Sequence, residues 1–206
     1  MFSPVRRLLT PDGARTIDRI LTDHGGGVGS LPEEDAYIYA ALLAGRSCGR
    51  VLHLGTFLGY SLVIAADIAR QVSAAPQVVT VDHSAESNGK AKLYCDAAGL
   101  DFVGYITASS LDEGAHQAAL AGAPWDCVFL DTDHTYETTR AELAAYAPMA
   151  EMVLLHDVGV TANQQPHIGV LRAAREYAQA HGWDLVVFDG RPGQWGIAAL
   201  TRRKDA

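Results

Sequence analysis

Val51-Leu52-His53-Leu54-Gly55-Thr56-Phe57-Leu58-Gly59-Tyr60-Ser61 decides the reading of this chain. The apolar run up to Leu54 has the character of a buried strand. It stops at a glycine, turns within a few residues and opens an apolar helix near Gly59. A strand–glycine-turn–helix unit brings backbone N–H groups and a helix N-terminus close to a bound cofactor. The turn carries Gly55 and Gly59 but not the third glycine of G-x-G-x-x-G. Bulky Phe57 and Leu58 stand where a pyrophosphate needs room. A nucleoside without phosphates suits it better, although glycine after a strand is also common with no ligand at all.

Outward from this unit, strands and helices alternate. Strands are expected at Arg50–Leu54, Val78–Asp82, Phe102–Thr107, Cys127–Asp131, Met152–His156, Leu185–Phe188 and Gly196–Thr201. Helices fit at Asp12–Asp23, from a Ser30–Glu33 capping box to Leu43, and at Tyr60–Gln71, Ala85–Ala98, Asp112–Leu120, Tyr136–Tyr146 and Ile168–His181. Such alternation predicts a Rossmann-like, doubly wound α/β fold with a mostly parallel seven-stranded sheet. The last two strands are joined by the short Gly190–Gly193 turn, so they should form an antiparallel hairpin at one edge. We expect one domain over residues 1–206, with N-terminal helices over 1–45 and a cofactor-binding core over 50–201. The glycine-rich stretch His24–Gly29 joins two helices as a flexible turn.

Composition narrows the function classes. Hydrophobic residues make up 49% of the 206, and charged residues only 19%, which excludes a disordered chain. A formal net charge of −8 argues against nucleic-acid binding. The three cysteines, Cys48, Cys95 and Cys127, are scattered and odd in number, as expected for a reducing cytoplasm. No signal peptide or membrane span is expected. The edge hairpin and an exposed N-terminal helix suggest a homodimer.

In open α/β sheets the ligand lies beyond the carboxyl ends of the strands. That rule selects His53–Ser61, Asp82–His83, Ala108–Ser110, Asp131–His134 and His156–Asp157. Asp82 is placed for ribose hydroxyls or as a helix cap, a role Ser84 can take instead. Ser110 begins a capping box with Glu113, which leaves Ser109 for a ligand. At the ends of the fourth and fifth strands, Asp131, His156 and Asp157 could converge on one cation, or form a metal-free hydrogen-bonded cluster.

These motifs resemble the class I S-adenosylmethionine-dependent methyltransferases, and within them the small catechol O-methyltransferase-like branch. The resemblance spans about Ser30 to Leu200. It rests on Gly59-Tyr60-Ser61, on Phe129-Leu130-Asp131 followed later by Leu155-His156-Asp157, and on the Asp131–Glu137 run. It implies transfer of a methyl group from S-adenosylmethionine to a small hydroxylated molecule, with a divalent metal (magnesium, manganese or another) assisting. Gly55, Thr56 and Phe57 would line the methionine and ribose part of the cofactor, with Ser61 near its carboxylate and His53 and Tyr60 in the same cofactor-binding set. The resemblance also places His24–Gly29 at the mouth of the site, where it would serve as a lid. Asp82 would hold the ribose, with His83, Ser109 and Asp131 completing the cofactor set. Asp131, His156 and Asp157 fall at metal-ligand positions. His134 falls where the catechol enzymes carry a catalytic lysine, which makes it the candidate base beside Asp131. Two departures stand out. His53 replaces an acidic residue, and His156 replaces an acidic ligand, which moves metal preference away from magnesium. A metal-dependent hydroxylase of similar fold and a nicotinamide-dependent oxidoreductase are the alternatives. The second lacks a Tyr-x-x-x-Lys pair.

Overall fold

The computed structural model describes residues 4–25, 31–159, 165, 168–189 and 195–203. The chain order is α1 (Pro11–Asp23), α2 (Glu33–Gly45), β1 (Arg50–Leu54), α3 (Tyr60–Val72), β2 (Gln77–Asp82), α4 (Ala85–Ala97) and β3 (Val103–Thr107). It continues with α5 (Glu113–Ala121), β4 (Trp125–Leu130), α6 (Tyr136–Tyr146), β5 (Ala150–His156), α7 (Val170–His181), β6 (Trp183–Phe188) and β7 (Ile197–Arg202). The strands form one sheet in the order β3-β2-β1-β4-β5-β7-β6. The first five run parallel, and β7 is antiparallel to both β5 and β6. This is the expected Rossmann-like fold.

The central strands read as apolar runs because both faces of the sheet are covered. Val51, Cys127, Phe129, Met152 and Leu154 pack against α1 to α4. Leu52, Leu54, Val128, Leu130, Val153 and Leu155 alternate with them and pack against α5, α6 and α7. The sequence order of strands reverses between β1 and β4, so the carboxyl ends of these two splay around a crevice.

Two helix starts differ from expectation. α2 opens at Glu33 with Pro32 at the cap position and no side-chain cap, and Ser30 lies outside the described residues. α5 opens at Glu113 behind Asp112, and Ser110 does not cap it, because its hydroxyl is drawn to Glu142. Ser84 does cap α4, accepting from Ser87 N at 3.1 Å. Most of the His24–Gly29 stretch lies outside the described residues, as do the Gly190–Gly193 turn and most of Val158–His167. No helix among the described residues is long and apolar enough to cross a membrane.

Candidate active site

The turn after β1 is held by backbone first. Gly55 N donates to Val81 O at 2.9 Å, and Asp131 N donates to Leu54 O at 3.0 Å, so the ends of β2, β1 and β4 are laced together. Gly55 has φ +91°, and a Cβ there would sit 2.0 Å from Asp131 O. Gly59 has φ +83° and lets α3 touch Ala91 of α4. Only glycine meets both demands.

Asp82 braces this turn from the neighbouring strand. Its Oδ2 accepts from Thr56 N at 2.7 Å and Phe57 N at 3.2 Å, and its Oδ1 accepts from Ser84 N at 2.8 Å. Three of roughly four lone-pair directions are thereby used, leaving capacity for a ligand hydroxyl. Thr56 is fixed in turn by Thr80 Oγ1 at 2.6 Å and Asn88 Oδ1 at 3.0 Å.

A cavity of about 740 Å³ opens over the turn. Gly55, Thr56, Phe57, Tyr60, Ser61, Asp82, His83, Ser109 and Asp131 all line it, so nine of the ten residues assigned to the cofactor meet at one surface. The exception is His53, which is 0% exposed and lies behind the wall, with Nε2 3.0 Å from Ser61 Oγ. Its side chain shares a sheet face with Phe129, ring centroids 4.9 Å apart. Ser109 also works locally, accepting from Leu111 N at 3.2 Å.

Burial lowers the His53 pKa to about 4, with Asp131, the Gly55 backbone and Asp82 opposing the shift only in part. Between its unfolded value near 6.5 and about 4, the unfolded chain therefore takes up a proton that the native chain refuses. Stability rises with pH across that window and is lost as pH falls through it; the full shift is worth about 3 kcal/mol. Denaturant titrations at pH 7 and pH 4 should show a smaller acid loss for His53→Gln than for the wild type. An equal loss in both proteins would remove His53 as its source.

The second cluster lies beside the cavity. His134 Nδ1 is 3.0 Å from Asp157 Oδ2, and His156 Nδ1 is 3.2 Å from Asp131 Oδ1 and 3.2 Å from Asp157 Oδ1. Asp131 belongs to both clusters. His134 and Asp157 adopt φ +63° and +60°, and Phe57 in the glycine turn adopts +46°. Three of the four non-glycine residues with left-handed backbone among those described thus sit at this rim, where strain is characteristically stored.

The charges are mutually adjusted. Burial works against a charged His156, yet Asp131, Asp35 and Asp157 carry its pKa up to about 10. Burial would raise Asp131, but His156, His134 and His53 hold it below the usual carboxylate range. Burial likewise opposes the charge on His134, and the hydrogen bond and charge of Asp157 win, raising it. The cysteines take no part: all three are buried, and burial raises each thiol, Cys48 to about 12 and Cys95 to about 11.

Asp131, His156 and Asp157 can present one donor atom each within 4.8 Å of one another. On the far side of the His156 ring, Nε2 lies 3.5 Å from Asp35 Oδ2, and that oxygen also accepts from Gly196 N at 3.1 Å. A carboxylate behind a ligating imidazole is the usual outer support of a metal-bound histidine. The donor set therefore fits a divalent transition metal better than magnesium, which prefers oxygen alone.

Sequence reasoning missed three residues here. Asp35 reads as one of three acids opening α2, yet it is 0% exposed and reaches His156. Asn88 ties Thr56 to Thr107 and the Ile106 carbonyl. Glu142 looks like a surface residue of α6 but is 1% exposed. Only its i+1 and i+4 companions, Leu143 and Tyr146, could have signalled an inward face.

A family profile described as "Methyltransferase domain" matches residues 52–158, from β1 through the end of β5. The chain belongs to this family. The methyltransferase fold is shared along nearly the whole length of solved structures. The O-methyltransferase from Bacillus cereus, in complex with SAH, superposes with a TM-score of 0.72 at 18% identity, covering 91% of each chain. The O-methyltransferase TomG from Streptomyces achromogenes, described as involved in tomaymycin synthesis and solved with SAM, gives 0.67 at 16% identity, covering 94% of this chain and 91% of that one. No curated protein matches the sequence. The methyltransferase assignment agrees with the class I resemblance carried by Gly59-Tyr60-Ser61 and the two Asp-bearing strand ends.

Proposed function

We propose that this methyltransferase binds S-adenosylmethionine in the 740 Å³ cavity and transfers its methyl group to a hydroxyl of a small molecule. The observation that carries this reading is the joining, through Asp131 and His156, of a nucleoside-sized cavity to the His134–Asp157 pair. The cavity floor commits its Thr56 and Phe57 amides to Asp82 and carries no triple-glycine phosphate cradle, as suits a cofactor without phosphates.

The chemistry asked of the protein is positioning and deprotonation. Asp157 accepts from His134 Nδ1–H, which fixes the tautomer and leaves Nε2 to take the acceptor proton. The freed oxygen then displaces the thioether from the methyl carbon in line. Without a metal, protonated His156 stands between Asp131 and Asp157 and offsets part of their charge. A divalent metal held by Asp131, His156 and Asp157 would acidify and orient the acceptor hydroxyl.

Thermal unfolding with S-adenosylhomocysteine tests the reading, with NADH in parallel and manganese or EDTA in each arm. At one hundred times its dissociation constant a ligand adds about 2.7 kcal/mol, a shift of several degrees. A shift with S-adenosylhomocysteine supports the proposal, and further stabilisation by manganese supports the metal. A shift with NADH alone would overturn it. Cytoplasmic location and a homodimer are proposed with it, from the scattered unpaired thiols and the exposed β6 edge with Val186.

A further inference from the structure

We infer that Glu142 sets the hydrogen-bonding polarity of the cavity wall, so that Ser110 and Thr132 accept from a bound group and cannot donate to it. The inference rests on the nucleoside reading above and adds a specificity determinant to it.

Glu142 projects from α6 and does not line the cavity; Ser110 and Thr132 do. Ser110 Oγ donates to Glu142 Oε1 at 2.5 Å, and Thr132 Oγ1 donates to Glu142 Oε2 at 3.0 Å. One carboxylate thus gathers two hydroxyls from different loops, one after β3 and one after β4. A hydroxyl has a single proton. Once the carboxyl is ionised, above about pH 7, both protons are committed inward, to a group that only accepts. Among the described residues no N–H or O–H is bonded to either hydroxyl oxygen, so their remaining lone pairs are available to a ligand.

The complementary ligand group is a donor. Of the purine nucleosides, a 6-amino base supplies N–H groups and a 6-oxo base presents an acceptor. A carbonyl placed against two fixed acceptors leaves three oxygens unsatisfied, and sites built for one hydrogen-bonding pattern reject the other strongly. Burial also explains why the carboxyl must be bonded twice. Desolvation raises its pKa to about 7 despite the bonds from Ser110 and Thr132, so without those hydroxyls it would resist ionising further.

Calorimetric titration at pH 8.5 with S-adenosylhomocysteine and its 6-oxo counterpart, S-inosylhomocysteine, reads the polarity directly. The wild type should prefer the amino form tenfold or more. In Glu142→Gln the amide donates to one hydroxyl and frees that proton to turn outward, so the preference should shrink at least fivefold. Thr132→Val removes one acceptor and leaves Glu142 in place, and should narrow the preference even if Glu142→Gln does not fold. Equal wild-type affinities, or a preference unchanged in the folded variants, would overturn the inference alone. Binding of neither nucleoside by the wild type would overturn the proposed function and this inference together.

Discussion

Gly55→Ala is expected to destabilise the protein by about 3–5 kcal/mol and to abolish S-adenosylhomocysteine binding. Two costs add. At φ +91° an L-residue is strained, and the new Cβ would lie 2.0 Å from Asp131 O, a backbone atom that cannot swing away. Relief requires β1 and β4 to part at their carboxyl ends, breaking the Asp131 N to Leu54 O bond and displacing Asp131. For a chain of this length the loss corresponds to a fall in Tm of roughly 10 °C or more. Gly25→Ala is the control: its φ is +67°, but among the described residues no atom lies within 4 Å of the added carbon. It should cost only the backbone term, about 1–2 kcal/mol. Similar losses for the two variants would mean that the close approach at Gly55 carries no energy.

His134→Gln should lower kcat by about 10²–10⁴, on any hydroxylated aromatic acceptor from a panel that the wild type turns over, while S-adenosylhomocysteine affinity stays within about threefold. The split follows from placement. His134 is held by Asp157 at 3.0 Å and does not line the cavity, so removing the imidazole removes the proton acceptor and leaves the cofactor surface intact. Glutamine keeps an amide near Asp157 and has no basic nitrogen. A variant retaining more than a tenth of wild-type kcat would show that another group takes the proton. A parallel collapse of cofactor affinity would place His134 in binding instead.

The alternation of strands and helices was legible because parallel strands buried on both faces read as unbroken apolar runs. β1 and α6 begin and end where the pattern places them, and the other elements differ by one to three residues. The edge order was harder. A four-residue turn predicts that β6 and β7 pair, and says nothing of which one joins β5. Burial answers it: Ile197-Ala198-Ala199-Leu200 is buried throughout, while β6 alternates with exposed Val186 and Asp184. At the site, most cavity-lining residues share short loops that the strand-end rule selects; Leu31, Ser87 and Thr138 do not. Asp35, Asn88 and Glu142 sit on helices, where a polar residue ordinarily marks the solvent face. Their burial depends on partners from 18 to 161 residues away, which no local pattern encodes.

The placement of β7 between β5 and β6 has a consequence for the order in which the protein can be assembled. β6 leaves the ribosome before β7 but has no place in the sheet until β7 arrives. Until then β5 presents a bare, mostly apolar edge, and Asp35 lacks the positioned Gly196 amide that holds it toward His156. A nascent chain stopped before Ile197 therefore carries all the residues of the His134–Asp157–His156 cluster without the strand that finishes it. Assembly of the site therefore waits on β7, and the interval before β7 emerges is when the exposed edge is open to wrong pairing.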